Sequence, residues 1–193
     1  MTLKEYHLTP SWLEVHASYI DSYHFTSDDQ ITFLLHPLMN AADLKDETPL
    51  TVEITMANDV SIPQSEDSDV RCGLSEGTNF IGFAMNDLTN YQDAAPCFGI
   101  EATSGSSFSN AKALGKFPMP REKFYPDRFV ITFKLDTSRG WCFTPHDGGF
   151  TKTAEYSKRL KLSQGLSLEV YIMQRRESVS IKYIKVVITK TGN

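Results

Sequence analysis

Three carboxylates, Glu53, Glu101 and Glu169, have the right side-chain type for acid–base chemistry in this 193-residue chain. Retaining glycosidases hold two carboxyl groups about 5 Å apart, and inverting ones hold a wider pair. Glu53 and Glu169 each interrupt an apolar alternation of period 2, in Leu50-Thr-Val-Glu-Ile-Thr-Met56 and Leu166-Ser-Leu-Glu-Val-Tyr-Ile172. Both are therefore expected to project outward from strong strands, where they could face one another across a sheet, and Glu101 could join them. A second set is borne on loops. Asp87, Asn90, Tyr91 and Asp93 crowd the polar stretch Asn86–Ala95, and Trp141, His146 and Asp147 surround an expected hairpin, Trp141–Phe150. A flat ring can stack on the apolar face of a pyranose while Asp, Asn and Arg bond its hydroxyls, so these seven residues are the ligand-binding candidates. Trp141 adjoins a strand, so its ring has a competing place in the core. Asp67 and Asp69, beside Glu66, are hard oxygen donors just ahead of a strand. They could hold Ca²⁺ if their loop converges with that of Asp87, Asn90 and Asp93; solvated loop charge is the competing reading. The spacing of an EF-hand is absent.

Other motifs are weaker. Gly73-Leu-Ser-Glu-Gly77 matches the nucleophile-elbow pattern, but the residues after it read as strand, which makes Ser75 a hairpin-turn residue. Five histidines form no H-x-H or H-x-x-x-H pair, so no three-ligand zinc site can be read from them. His16 shares a strand face with Trp12 and Glu14, which is either a polar face or a recognition patch. Cys72, Cys97 and Cys142 are odd in number and lack a C-x-x-C pair; one disulfide could form and leave a thiol over. The opening Met1-Thr-Leu-Lys-Glu-Tyr-His has no apolar signal core. The expectation is a cytoplasmic protein as written, or an extracellular one if a leader was removed.

The formal charge of −5 argues against non-specific nucleic-acid binding, and no apolar run is long enough to span a membrane. The charge is uneven. Residues 129–193 carry eleven Lys+Arg against five Asp+Glu, and residues 1–128 carry eight against nineteen. The two halves either neutralise one another within one fold or form a dipolar surface that steers a partner or a second copy. Lys152, Lys158, Arg159, Lys161, Arg175 and Arg176 make the later part basic, which suits an anionic glycan, sulfated or uronic.

The elements that must position these residues are strands. Leu50–Met56, Phe129–Leu135, Leu166–Ile172 and Val179–Ile188 alternate clearly; in the last, the apolar parity slips at Tyr183-Ile184, as a β-bulge or a doubly buried strand would require. Weaker strands are expected at Trp12–Ile20, Gln30–Leu35, Val70–Leu74, Asn79–Met85, Cys97–Glu101 and Trp141–Thr144. Helical signals are confined to Pro37–Asp46, with Pro37 at its first position, and a short turn at Asn110–Lys116. The pattern predicts an all-β fold: a single antiparallel two-sheet β-sandwich of jelly-roll type over residues 1–193, with one or two short helical turns.

The strand sequence Phe129–Leu135, Trp141–Phe143, Leu166–Ile172 and Ile181–Ile188, with Val70-Arg-Cys-Gly-Leu74 and Phe80-Ile-Gly-Phe83, resembles the concanavalin-A-like lectin and laminin-G-like sandwiches. The resemblance implies a non-catalytic recognition module with carbohydrate as its ligand, a structural calcium between loops, and self-association for multivalent binding. The acidic cluster E-x-D-x-x-E of the related glucanases is absent. An intracellular protein-interaction sandwich and a carbohydrate-active hydrolase or lyase stand as alternatives.

Overall fold

In the computed structural model the described residues are 1–8, 30–44, 49–58, 69–86, 95–105, 112–119, 129–137, 141–145, 153–161, 163–174 and 181–190. They form two six-stranded antiparallel sheets and one helical turn. The first sheet contains β1 (Thr2–Leu8), β3 (Leu50–Asn58), β8 (Phe129–Asp136), β9 (Cys142–Pro145), β10 (Ala154–Glu155) and β12 (Ile181–Lys190), in the order β1-β12-β3-β8-β9-β10. The second contains β2 (Gln30–Met39), β4 (Asp69–Glu76), β5 (Asn79–Asn86), β6 (Ala95–Thr103), β7 (Lys112–Met119) and β11 (Leu166–Gln174), in the order β2-β11-β4-β5-β6-β7. The helical turn α1 is Ala41–Leu44.

The core forms where the alternating strands turn one apolar face inward. Leu50, Val52, Ile54 and Met56 of β3 are fully buried, as are Leu168 and Val170 of β11 and Ile184, Val186 and Ile188 of β12. Burying a side chain of this size stabilises by about 1.5–3 kcal/mol, so these rows hold the sheets face to face. The slip in β12 is a bulge: its pairing with β3 shifts between Ile181 and Tyr183, which puts the residues after it back in phase with the core.

Four features depart from the sequence reading or sharpen it. Pro37 does not open a helix; it lies in β2, which among the described residues is an edge strand paired only with β11, where a missing N–H breaks no ladder. Helix begins only at Ala41, where the side chain of Asn40 accepts a hydrogen bond from the Asp43 N–H at 2.9 Å and acts as the cap. The stretch expected to turn at Asn110–Lys116 is strand from Lys112, because pairing with β6 outweighs the local helical preference. Ser75 is a buried strand residue, and the two-residue turn is Gly77–Thr78, with Gly77 at φ 55°. The expected strand Trp12–Ile20 lies outside the described residues.

Candidate functional site

The seven ligand-binding candidates do not share one fate. Asp87, Asn90, Tyr91, Asp93, His146 and Asp147 lie outside the described residues, as does Asp67. Asp69 opens β4. Trp141 is 2 % exposed, packs in the main core and donates its indole N–H to the Leu160 carbonyl at 3.2 Å. Its ring lies in the interior, the competing place that its neighbouring strand suggested.

The register fixes where the other candidates attach. Asp69 pairs with Asn86, so the segments before β4 and after β5 leave the second sheet from one end. Met173 pairs with Asp69, which puts the last residues of β11 at that end too. The segments 59–68 and 175–180 join it to the end of the first sheet where Asn58 pairs with both Phe129 and Ile181. β9 runs toward Phe129, its Pro145 opposite Phe133, so His146 and Asp147 follow a strand aimed at that same end. Trp141 precedes β9 and stands at its far end.

The three carboxylates do not converge. Glu53 is exposed on β3 in the first sheet, whereas Glu101 and Glu169 are buried in the second, so the expected outward-facing partnership of Glu53 and Glu169 across one sheet is not found. Glu169 points away from the main core yet is fully buried. Its Oε1 accepts from Arg71 Nη2 at 2.6 Å, its Oε2 accepts from the Ser104 hydroxyl at 2.6 Å, and the Gly105 N–H approaches Oε1 at 3.4 Å. The Arg71 guanidinium lies 4.6 Å from the Phe80 ring centre and 5.1 Å from that of Tyr171. Room for this stack comes from Gly73 and Gly82, paired on β4 and β5: a Cβ on either would come within 2.6 Å of the other's Cα and 2.9 Å of the Phe80 ring. Phe80 joins Ala84, Ile100 and Ala102 in a second apolar cluster on this outer face.

Glu101 belongs to a different device. After β10 the chain runs as a strap, Tyr156–Lys161, whose bonds reach Trp141 next to β9 and strands β4, β5 and β6 of the second sheet. Tyr156 and Leu160 plug into the core, and the Tyr156 hydroxyl donates to the Gly82 carbonyl. The Tyr156 N–H donates to Trp141 O at 2.8 Å. Glu101 accepts the Ser157 N–H at 2.8 Å, the Lys158 N–H at 3.0 Å and the Ser157 hydroxyl, and it pairs with Lys112 at 3.2 Å. Burial alone would raise the Glu101 pKa, but the Ser157 hydroxyl, the Lys158 N–H, the Lys112 ammonium and the Ser157 N–H together hold it at about 2. Glu76 accepts the Lys161 N–H at 2.6 Å. The sequence marks these buried acids only as charges placed within strands.

Among the described residues no group of three or more His, Cys, Asp or Glu side chains could hold a metal ion. Cys72 is a free, buried thiol, and among the described residues no helix is long and apolar enough to cross a membrane.

The two-sheet sandwich is similar in fold to solved carbohydrate-recognition domains. No family model and no curated protein sequence matches the chain. Among solved structures, the Emp46p carbohydrate recognition domain in its potassium-bound form superposes with a TM-score of 0.52 at 8% identity, covering 86% of this chain and 79% of that one. The exoplasmic/lumenal domain of VIP36, in a form bound to Ca²⁺ and Man3GlcNAc, superposes with a TM-score of 0.50 at 11% identity, covering 86% and 75%.

Proposed function

We propose that this chain is a non-catalytic recognition module whose ligand is a carbohydrate, bound at the end of the sandwich to which Asp87, Asn90, Tyr91, Asp93, His146 and Asp147 attach. The observation that carries this reading is the shared sandwich of the Emp46p carbohydrate recognition domain and of the glycan-bound VIP36 domain. The pairing of Asp69 with Asn86 supports it, because it roots both acidic segments at one place. Tyr91 would supply a flat ring and the Asp and Asn side chains would bond hydroxyls. Asp67 and Asp69, with the acids of the 87–93 segment, would be the donors for a Ca²⁺ that orders those segments. The involvement of Glu101 and Glu169 in buried bonds supports a binding role over a hydrolytic one.

A glycan array probed with and without Ca²⁺ tests this. Binding to a glycan class, weakened by Y91A and by D87N, is the expected result. Failure to bind any glycan in the presence of Ca²⁺ overturns it. A protein-interaction sandwich is the second reading, favoured by the free, buried thiol Cys72. The uneven charge along the chain and the gain that multivalency gives weak sites also support self-association; size-exclusion chromatography at low and high salt should reveal it, and a monomer in both would exclude it at that concentration.

A further inference from the structure

We infer that the strap Tyr156–Lys161, with Lys112 beside it, is a docking ridge for an acidic polysaccharide, one that carries sulfate or uronate groups; this rests on the carbohydrate reading above. The strap's two inward residues and its backbone account for its anchoring. Tyr156 and Leu160 are 1 % and 4 % exposed, and Glu76 and Glu101 accept backbone N–H groups along it. None of those bonds needs a cation in a strap side chain. Yet apart from Ser157, whose hydroxyl is bonded to Glu101, the strap residues that are not buried are the half-buried Lys158 and the exposed Arg159 and Lys161, and the neighbouring Lys112 side chain is 65% exposed.

Two of these cations, Lys158 and Arg159, are held by carbonyls rather than by counter-charges. Lys158 Nζ donates to Ala102 O at 2.6 Å, and Arg159 donates to Tyr156 O. Among the described residues no carboxylate pairs with Lys158, Arg159 or Lys161, and the exposed Glu155 just before the strap pairs with none of them. A carbonyl fixes the position of a cation without neutralising it. The strap therefore presents positive charge on a backbone already ordered, and the entropy of arranging it is lost on folding rather than on binding. A polymer with anionic groups at repeated spacing gains from such a row, and arginine can grip a sulfate or carboxylate through two bonds at once.

The test uses the full chain and its R159Q/K161Q variant. Both residues are exposed and neither contributes a side chain to the main core, so the variant is expected to fold; circular dichroism and the melting temperature check this. Affinity for heparin, polygalacturonate, neutral dextran and single-stranded DNA is measured at two salt concentrations. The ridge predicts salt-sensitive binding to heparin or polygalacturonate that the variant weakens by roughly tenfold or more, with a shallower salt dependence. Array binding to neutral glycans should be unchanged in the variant. Neutral-glycan binding without preference for the acidic polymers, or acidic-polymer binding that the variant leaves intact, overturns the ridge and leaves the carbohydrate reading standing. No binding to any glycan overturns both. DNA binding as tight as that of heparin overturns the assignment to an acidic polysaccharide. If the variant fails to fold, R159Q alone is measured by the same criteria.

Discussion

Replacing Glu101 by Gln preserves the shape of the strap anchor and removes its charge. The wild-type carboxylate accepts from two backbone N–H groups and the Ser157 hydroxyl, with Lys112 alongside. The amide can offer only one oxygen, and its NH₂ would face a donor. The Glu101 pKa of about 2, against an ordinary 4.5, sets the scale. A carboxyl whose pKa is lowered on folding contributes stability that is complete above the unfolded value and is lost as the pH falls through the folded one. The full contribution at pH 7 is roughly 3 kcal/mol, and at pH 3 it has shrunk to roughly 1.4 kcal/mol. E101Q should therefore be destabilised by about 2–3 kcal/mol at pH 7, once the bonds that Gln retains are allowed for, and by less than half of that at pH 3. Urea unfolding of both proteins at pH 7, 5 and 3 measures this directly. A loss below about 0.5 kcal/mol at pH 7, or one that fails to shrink in acid, would refute the assignment of Glu101 as the charged anchor of the strap.

Other perturbations follow from the buried cluster on the second sheet. R71M strands the Glu169 carboxylate without its guanidinium and should cost about 3–5 kcal/mol, whereas R71M/E169L should be less harmful; a double variant no more stable than the single one in urea would contradict the pairing. G82A places a Cβ 2.4 Å from the Cys72 carbonyl oxygen and should cost more than about 3 kcal/mol, against about 1–2 kcal/mol for G77A, whose site is open and whose strain is the positive φ alone. Equal melting temperatures for the two would contradict that reading. Burial, and then the Glu169 charge, pushes the Cys72 thiol far above its usual range, so it should resist iodoacetamide at pH 8 in the native protein and react in urea. Rapid alkylation of Cys72 under native conditions would argue against its burial.

The strands of the sandwich were legible wherever a single parity ran unbroken. Leu50 to Met56 is the clearest case, since four alternate residues all proved fully buried. β1 escaped the sequence reading because its register shifts between Thr2 and Lys4, so that Leu3, Tyr6 and Leu8 do not share one parity. Pro37 misled for a related reason: its local preference suits a helix start, and only the position of β2 at a sheet edge makes a strand proline harmless. The Arg71–Glu169 pair was beyond reach for a topological reason. The two residues are 98 positions apart, and what brings them together is that β11 pairs with β4, which no local pattern encodes. The strap was visible only as a basic run, because the acids that hold its backbone lie on strands far along the chain.

β12 lies between β1 and β3 in the first sheet, and the Met1 carbonyl accepts the Lys190 N–H at 3.0 Å. During synthesis, β1 and β3 therefore leave the ribosome long before the strand that must separate them. Until then each presents an open hydrogen-bonding edge, and a direct β1–β3 pairing is the nearest wrong partner available. Folding of that sheet is thus governed by the last strand to arrive, and the long loop it closes places the chain among the slower-folding topologies.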